Sequence, residues 1–224
     1  MSHIGKTDLK LGTEVEHHLR KLGINTPTKT DELNKSDEYK MLRIEDRVKE
    51  IWEILGLDMN DDSLEGTPER IAKMFVKEIY WGLKPDNFPK ITTVENKMDY
   101  DQMVLEKDIT VMSNCEHHGV TIDGKAFVAY IPNKRVIGLS KINRIVNYFS
   151  RRPQIQERLT SQILETLKFI LDTENVAVVI NAVHYCVKSR GIEDHSSSTF
   201  TSALGGGFKN DPALRKEFFD LIKS

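Results

Sequence analysis

Only two cysteines, Cys115 and Cys186, and two tryptophans occur in 224 residues. So few cysteines exclude a disulfide-built scaffold, and a chain this long can bury enough apolar surface to fold without one. No apolar run approaches the roughly 20 residues that a bilayer span requires, so no membrane-spanning helix is expected. The opening MSHIGKTDLKLG has no apolar h-region and is too acidic and arginine-poor for a transit sequence. A cytoplasmic protein with reduced thiols is therefore expected. The net charge of −2 excludes a globally basic nucleic-acid binder. One shortage is local: from Gly124 to Gln156 there is no Asp or Glu, while Lys125, Lys134, Arg135, Lys141, Arg144, Arg151 and Arg152 fall in the same stretch. In a nearly neutral chain that is a pronounced asymmetry.

What is present reads as a soluble α+β protein without internal repeats. Residues 1–36 are expected to form an N-terminal arm and linker. Thr13-x-x-Glu16 has the form of a capping box, Gly23 can end the short helix it opens, and a polar, turn-rich stretch follows. From Asp37 the pattern is helical: Met41, Ile44, Val48, Ile51 and Leu55 form one apolar face, stopped at Gly56. Thr67-Pro68 predicts a capped helix start, with Ile71, Met74, Phe75 and Ile79 as its buried stripe. Val104–Asn114 reads as a strand. Asp123-Gly124 predicts a tight hairpin turn between GVTI and KAFVAYI. Helices are expected from Ser140 to about Phe149 and from Pro153 to about Leu171. A buried strand over NVAVVINAVHYCVKSRG and a final helix from about Pro212 to Ile222 complete the order.

Both cysteines have histidine neighbours: Cys115 has His117 and His118, and Cys186 has His184. On a strand, His184 and Cys186 would share a face, and a Cys-x-x-His turn can bring Cys115 and His118 to one point. Zinc takes thiolate sulfur and imidazole nitrogen tetrahedrally, so Cys115, His118 and Cys186 could supply three ligands and leave the fourth position open. Two other readings remain: buried structural cysteines beside surface histidines, or a cysteine nucleophile with a histidine base. In the acid-free stretch, Ser140 can cap a helix whose first turn carries Lys141 and Arg144. Free N–H groups, the dipole and added cations there suit a phosphate; a solvated basic face is the alternative. Glu157, the first acid after the gap, can accept two parallel hydrogen bonds from an N–H/NH₂ edge such as guanine's, or simply serve the helix dipole.

CEHH, HYCVKSRG, GLSKINRIV, RPQIQERLT and TPERIAKMF together resemble the GTP cyclohydrolase I family of the single-zinc type, over roughly residues 37 to 222. The resemblance implies a tunnelling fold: an N-terminal helical part to about residue 85, then a β-β-α-α-β-β unit whose strands join those of neighbouring subunits in a ring. It makes 37–224 the catalytic domain. It implies zinc on Cys115, His118 and Cys186, catalytic histidines at His117 and His184, and triphosphate contacts at Ser140, Lys141, Arg144 and Arg190. Arg70 would reach in from a neighbouring chain, and Gln156 and Glu157 would anchor guanine. The implied reaction turns GTP and water into 7,8-dihydroneopterin triphosphate and formate, at the head of folate or tetrahydrobiopterin synthesis. The implied assembly is a homodecamer with active sites at subunit interfaces, and neither nucleic acid nor membrane is a partner. Two rivals bear weighing: a reductase of the same fold with a cysteine nucleophile, disfavoured by the paired His184-x-Cys186, and a zinc-stabilised binding module.

Overall fold

The computed structural model describes residues 5–223. Helix α1 (Leu9–Lys21) starts at Asp8, whose carboxylate accepts from the Leu11 N–H at 3.0 Å. Thr13 does not cap it: it lies inside α1 and returns its hydroxyl to the Leu9 carbonyl at 2.9 Å. A carboxylate five residues earlier both caps the helix and sits at the favourable end of its dipole. Val15 and Leu19 of α1 are fully buried in the main core, so the stretch expected as an arm contributes to it directly. Each such side chain is worth about 1.5–3 kcal/mol of burial.

A short α2 (Thr30–Leu33) leads to α3 (Asp37–Ile54), capped by the Ser36 hydroxyl on the Tyr39 N–H at 3.1 Å. Of the expected α3 stripe only Val48 is buried; Ile51 and Leu55 are 53% and 72% exposed. The apolar face is real, but only part of it meets α4 (Thr67–Lys73) and the π-helical turn that follows over Met74–Ile79. Gly66 rather than Thr67 occupies the cap position of α4, with Pro68 in its first turn.

Beyond these helices, β1 (Thr93–Glu95) pairs with β4 (Arg135–Ile137). A five-stranded sheet is built from β2 (Val104–Cys115), β3 (Thr121–Tyr130), β5 (Pro153–Gln154), β6 (Val176–His184) and β7 (Thr199–Leu204) in the order β5-β2-β3-β6-β7. Helices α5 (Leu139–Ser150) and α6 (Gln156–Leu171) pack on the sheet. A helical turn α7 (Tyr185–Lys188) follows β6, and α8 (Gly206–Asn210) and α9 (Pro212–Lys223) end the chain. Strand β6 is valine-rich because it is buried on both faces. Val176, Val178 and Ile180 join the core with α5 and α6, whereas Ala177 and Val179 join Phe208 and Phe218 of α8 and α9.

Three further sequence expectations are corrected. Asp123-Gly124 is not a turn: β3 runs through it, with Asp123 opposite Met112 and Val183 and Gly124 opposite Val111 and Ala182. Gly124 is there for close approach, since a Cβ would lie 2.3 Å from the Asn181 carbonyl oxygen. Pro153 does not start a helix; it pairs with Asn114 as an edge strand, where its missing N–H costs nothing, and α6 begins at Gln156. Strand β6 ends at His184, so Cys186, Lys188 and Arg190 do not continue one strand face.

Candidate metal centre and active site

The β2–β3 turn is the CEHHG segment itself. The Cys115 N–H donates to the Val120 carbonyl at 2.8 Å and the Gly119 N–H to the Cys115 carbonyl at 2.8 Å, with Gly119 at φ +67. Glycine is the residue for that left-handed position. The tight closure turns His117 and His118 back over Cys115, whose sulfur lies 3.8 Å from His117 Nδ1 and 4.0 Å from His118 Nδ1. Cys115 is buried, while both histidines are exposed. Cys186 arrives on α7, because the chain coils immediately after His184. One ligand atom each from Cys115, His118 and Cys186 lies within 4.8 Å of the others. Tetrahedral zinc with such a set needs sulfur and nitrogen atoms about 3.5–3.8 Å apart. Two soft sulfurs and one imidazole at nearly that spacing fit zinc with little movement. Burial pushes the Cys186 thiol up, the neighbouring Cys115 pushes it further, and Arg190 pulls the other way. A divalent cation is the agent that would ionise both thiols together.

His184, at the end of β6, faces Gln156 in the first turn of α6, with 2.7 Å between Nε2 and Gln156 Oε1. Gln156 is fully buried, and its amide nitrogen donates to the Ile180 carbonyl (3.1 Å), the Thr199 carbonyl (2.9 Å) and Thr201 Oγ1 (3.0 Å). With the nitrogen so occupied, the oxygen is the acceptor, and His184 Nε2 carries the proton. Burial lowers the His184 pKa below its usual 6.5, with the Glu157 carboxylate opposing. Glu157 itself is exposed, one residue from buried Gln156.

The basic residues are arranged differently. Gly138 takes the cap position of α5, leaving Ser140 exposed in the first turn beside half-buried Lys141. Arg144, one turn on, is exposed and lines a cavity of about 300 Å³ with Thr110, Met112, Asn143, Asn147 and Arg151. None of the three sulfur or imidazole donors lines that cavity. Arg190 follows α7, near enough for its charge to act on Cys186. Arg70, on α4, donates to Thr67 Oγ1 at 2.9 Å. Another cavity, about 420 Å³, is lined by Met74 and Phe75 of the helical turn, by Gly119 and Val120 of the β2–β3 turn and by Tyr185 of α7. One chain thus gathers Cys115, His117, His118, His184, Cys186, Gln156 and Glu157, whereas Arg144 faces elsewhere. Sequence reasoning passed over Glu116 and Arg158, which form an ion pair between the β2–β3 turn and α6. The signal was an acid inside the CEHH motif, which had been read for its sulfur and imidazole alone.

A family model described as GTP cyclohydrolase I matches residues 44–223. Proteins named GTP cyclohydrolase 1 are similar over nearly the whole chain. That of Vibrio campbellii is 58% identical over 93% of this chain and 95% of its own. That of Aliivibrio salmonicida is 57% identical over 90% and 92%, and that of Shewanella sp. (strain ANA-3) 54% over 94% and 96%. Among solved structures, an apo archaeosine synthase QueF-Like aligns with a TM-score of 0.40 and 20% identity over 47% of this chain and 94% of that one, too weak a likeness to carry a conclusion.

Proposed function

This chain belongs to the GTP cyclohydrolase I family, and we propose that Cys115, His118 and Cys186 hold a zinc ion at its reaction centre. Its fold is the tunnelling fold, and its reaction is the hydrolytic opening of the GTP imidazole ring and reclosure to 7,8-dihydroneopterin triphosphate, with release of formate. This is the first step of folate and tetrahydropterin synthesis. Zinc held by Cys115, His118 and Cys186 would supply Lewis-acid chemistry, lowering the pKa of water there to about 7 so that a nucleophile for the purine is available at neutral pH.

The protein's own groups divide the remaining work. His117, beside Cys115, and His184 move protons, since an imidazole can both take one up and return it. Gln156 Oε1 holds the Nε2–H of His184, leaving Nδ1 to exchange a proton with the substrate. The exposed Glu157 carboxylate accepts from guanine N1–H and the 2-amino group, and the buried Gln156 anchors the guanine side by fixing His184 and the first turn of α6 that carries Glu157. Adenine offers neither donor, so it would leave that carboxylate unpaired. Ser140, Lys141, Arg144 and Arg190 bind the triphosphate, joined by Arg70 of a neighbouring chain.

Family membership implies a GTP substrate and an oligomeric assembly. A homodecamer with interfacial sites is the finer reading, with residues 37–224 as the catalytic unit in the cytoplasm. The exposed apolar residues of α3 and the outward-facing Arg144 support it. No helix among the described residues is long and apolar enough to cross a membrane.

The observation that carries the metal assignment is the convergence of two sulfurs and an imidazole within 4.8 Å from segments far apart in sequence. The test is incubation of zinc-loaded protein with GTP, following formate and pterin fluorescence with and without a chelator. Formate release abolished by the chelator and restored by zinc is expected; release indifferent to metal removal would sink the assignment.

A further inference from the structure

We propose that Arg158 is a positioning residue of the metal centre, acting through Glu116 to hold the Cys115–His118 turn against Cys186. The inference rests on the metal reading above and adds a residue to it. The two halves of the site come from different elements, the β2–β3 turn and α7. Backbone bonds close the turn on itself but do not set its tilt relative to α7. That tilt depends on what ties the turn to the rest of the fold. Two such ties lead to neighbouring segments: the Glu116 N–H donates to the Gln154 carbonyl of β5 at 3.0 Å, and the Glu116 carboxylate pairs with Arg158 in the first turn of α6.

The guanidinium is itself fixed before it reaches Glu116. Nε donates to Gln154 Oε1 at 3.1 Å and Nη2 to the Pro153 carbonyl at 3.1 Å. Gln154 is fully buried, donating to the Phe149 carbonyl at 2.8 Å and to Gln162 Oε1 at 2.9 Å; Gln162 in turn donates to the Ile24 carbonyl at 2.8 Å. A connected chain of satisfied buried groups is rigid. The Arg158 and Glu116 side chains are 12% and 25% exposed, so water competes little for their contact.

The other half is tied to the same helix turn, because Gln156 holds His184, two residues before Cys186. The first turn of α6 is therefore a frame: Arg158 steadies one side of the metal pocket and Gln156 the other, with Glu157 exposed between them. Partners beyond the ligands commonly set metal affinity in this way, and their loss costs about 10–100-fold.

The test uses Arg158→Met, Glu116→Gln, the double variant and Arg158→Lys in the full chain. Two quantities are read: the rate of zinc transfer to a chromogenic chelator, and the visible spectrum of the cobalt-substituted protein. Arg158→Met and Glu116→Gln should each lose zinc about 10–100-fold faster and shift the cobalt bands. The double variant should be no worse than the singles, and Arg158→Lys should recover part of the retention. If Arg158→Met fails to fold, Glu116→Gln decides alone. Unchanged zinc loss and cobalt spectra in folded variants would overturn the proposal, as would a double variant showing the full product of the single effects. If the unsubstituted protein itself takes up no zinc or cobalt, the metal assignment fails instead, and the two failures are distinguishable.

Discussion

Arg152 is 1% exposed, the largest of the fully buried side chains among the described residues, and its charge is met almost entirely from the N-terminal segment. It pairs with Glu16 of α1 and donates to Thr26 Oγ1 at 3.2 Å, while its guanidinium lies 4.6 Å from the Tyr148 ring and 4.8 Å from the Phe149 ring. Glu16→Leu leaves that charge with one hydroxyl and two ring faces. Breaking a buried pair by removing one partner costs about 3–5 kcal/mol. Glu16 is 19% exposed, so water reaches that side and the lower end applies. A loss of about 3 kcal/mol is roughly a 150-fold shift in the folding equilibrium. Adding Arg152→Met removes the orphaned charge, so the double variant should be more stable than Glu16→Leu alone. Urea unfolding at one fixed protomer concentration measures both, since assembly makes stability concentration-dependent. A Glu16→Leu loss below about 1 kcal/mol, or a double variant that loses the sum of the singles, would refute the reasoning.

His117→Ala and His184→Ala should retain zinc by elemental analysis yet lose about 10²–10⁴-fold in turnover; either one turning over normally removes that histidine from the proton transfers. Gly124→Ala forces a Cβ to within 2.3 Å of the Asn181 carbonyl, in a strand that cannot retreat. It should cost about 1–3 kcal/mol in the same unfolding assay, and an unaffected midpoint contradicts the close approach. Asp37 is pushed up by burial but held below its usual 3.8, on balance, by Lys77 and Lys84. A depressed carboxyl contributes stability above the unfolded pKa and loses it as pH falls through the folded one. Asp37→Asn should therefore narrow the stability lost between about pH 5 and pH 3, and a loss equal to the unsubstituted protein's argues against the Lys77–Asp37–Lys84 triad.

Side-chain chemistry was the most legible feature of the sequence. Cysteine and histidine are rare enough that CEHH and HYC pointed at each other without any knowledge of the path between them. Conformation was less legible, because local propensity was outvoted by packing. Asp123-Gly124 has ideal turn chemistry, but the glycine was needed where β3 and β6 approach, and Gly119 supplied the turn instead. The run through Cys186 reads as strand on composition, yet only up to His184 does it have a neighbour to pair with, opposite Ile122. Residues 1–36 read as an arm because Glu16 was matched to Thr13, three residues away. Its partner, Arg152, lies far beyond any local pattern. Arg158 escaped for the same reason: its role depends on Glu116, which only the folded chain brings to it.

The most direct test of the central claim is the zinc content and GTP turnover of Cys186→Ser, measured on one preparation. Cys186 belongs to neither the CEHH turn nor the strand before it, so its participation is what makes the site a convergence of two segments. Zinc and formate release lost together, with far-ultraviolet circular dichroism unchanged, is the predicted result. Full zinc occupancy with normal formate release in Cys186→Ser would contradict the account.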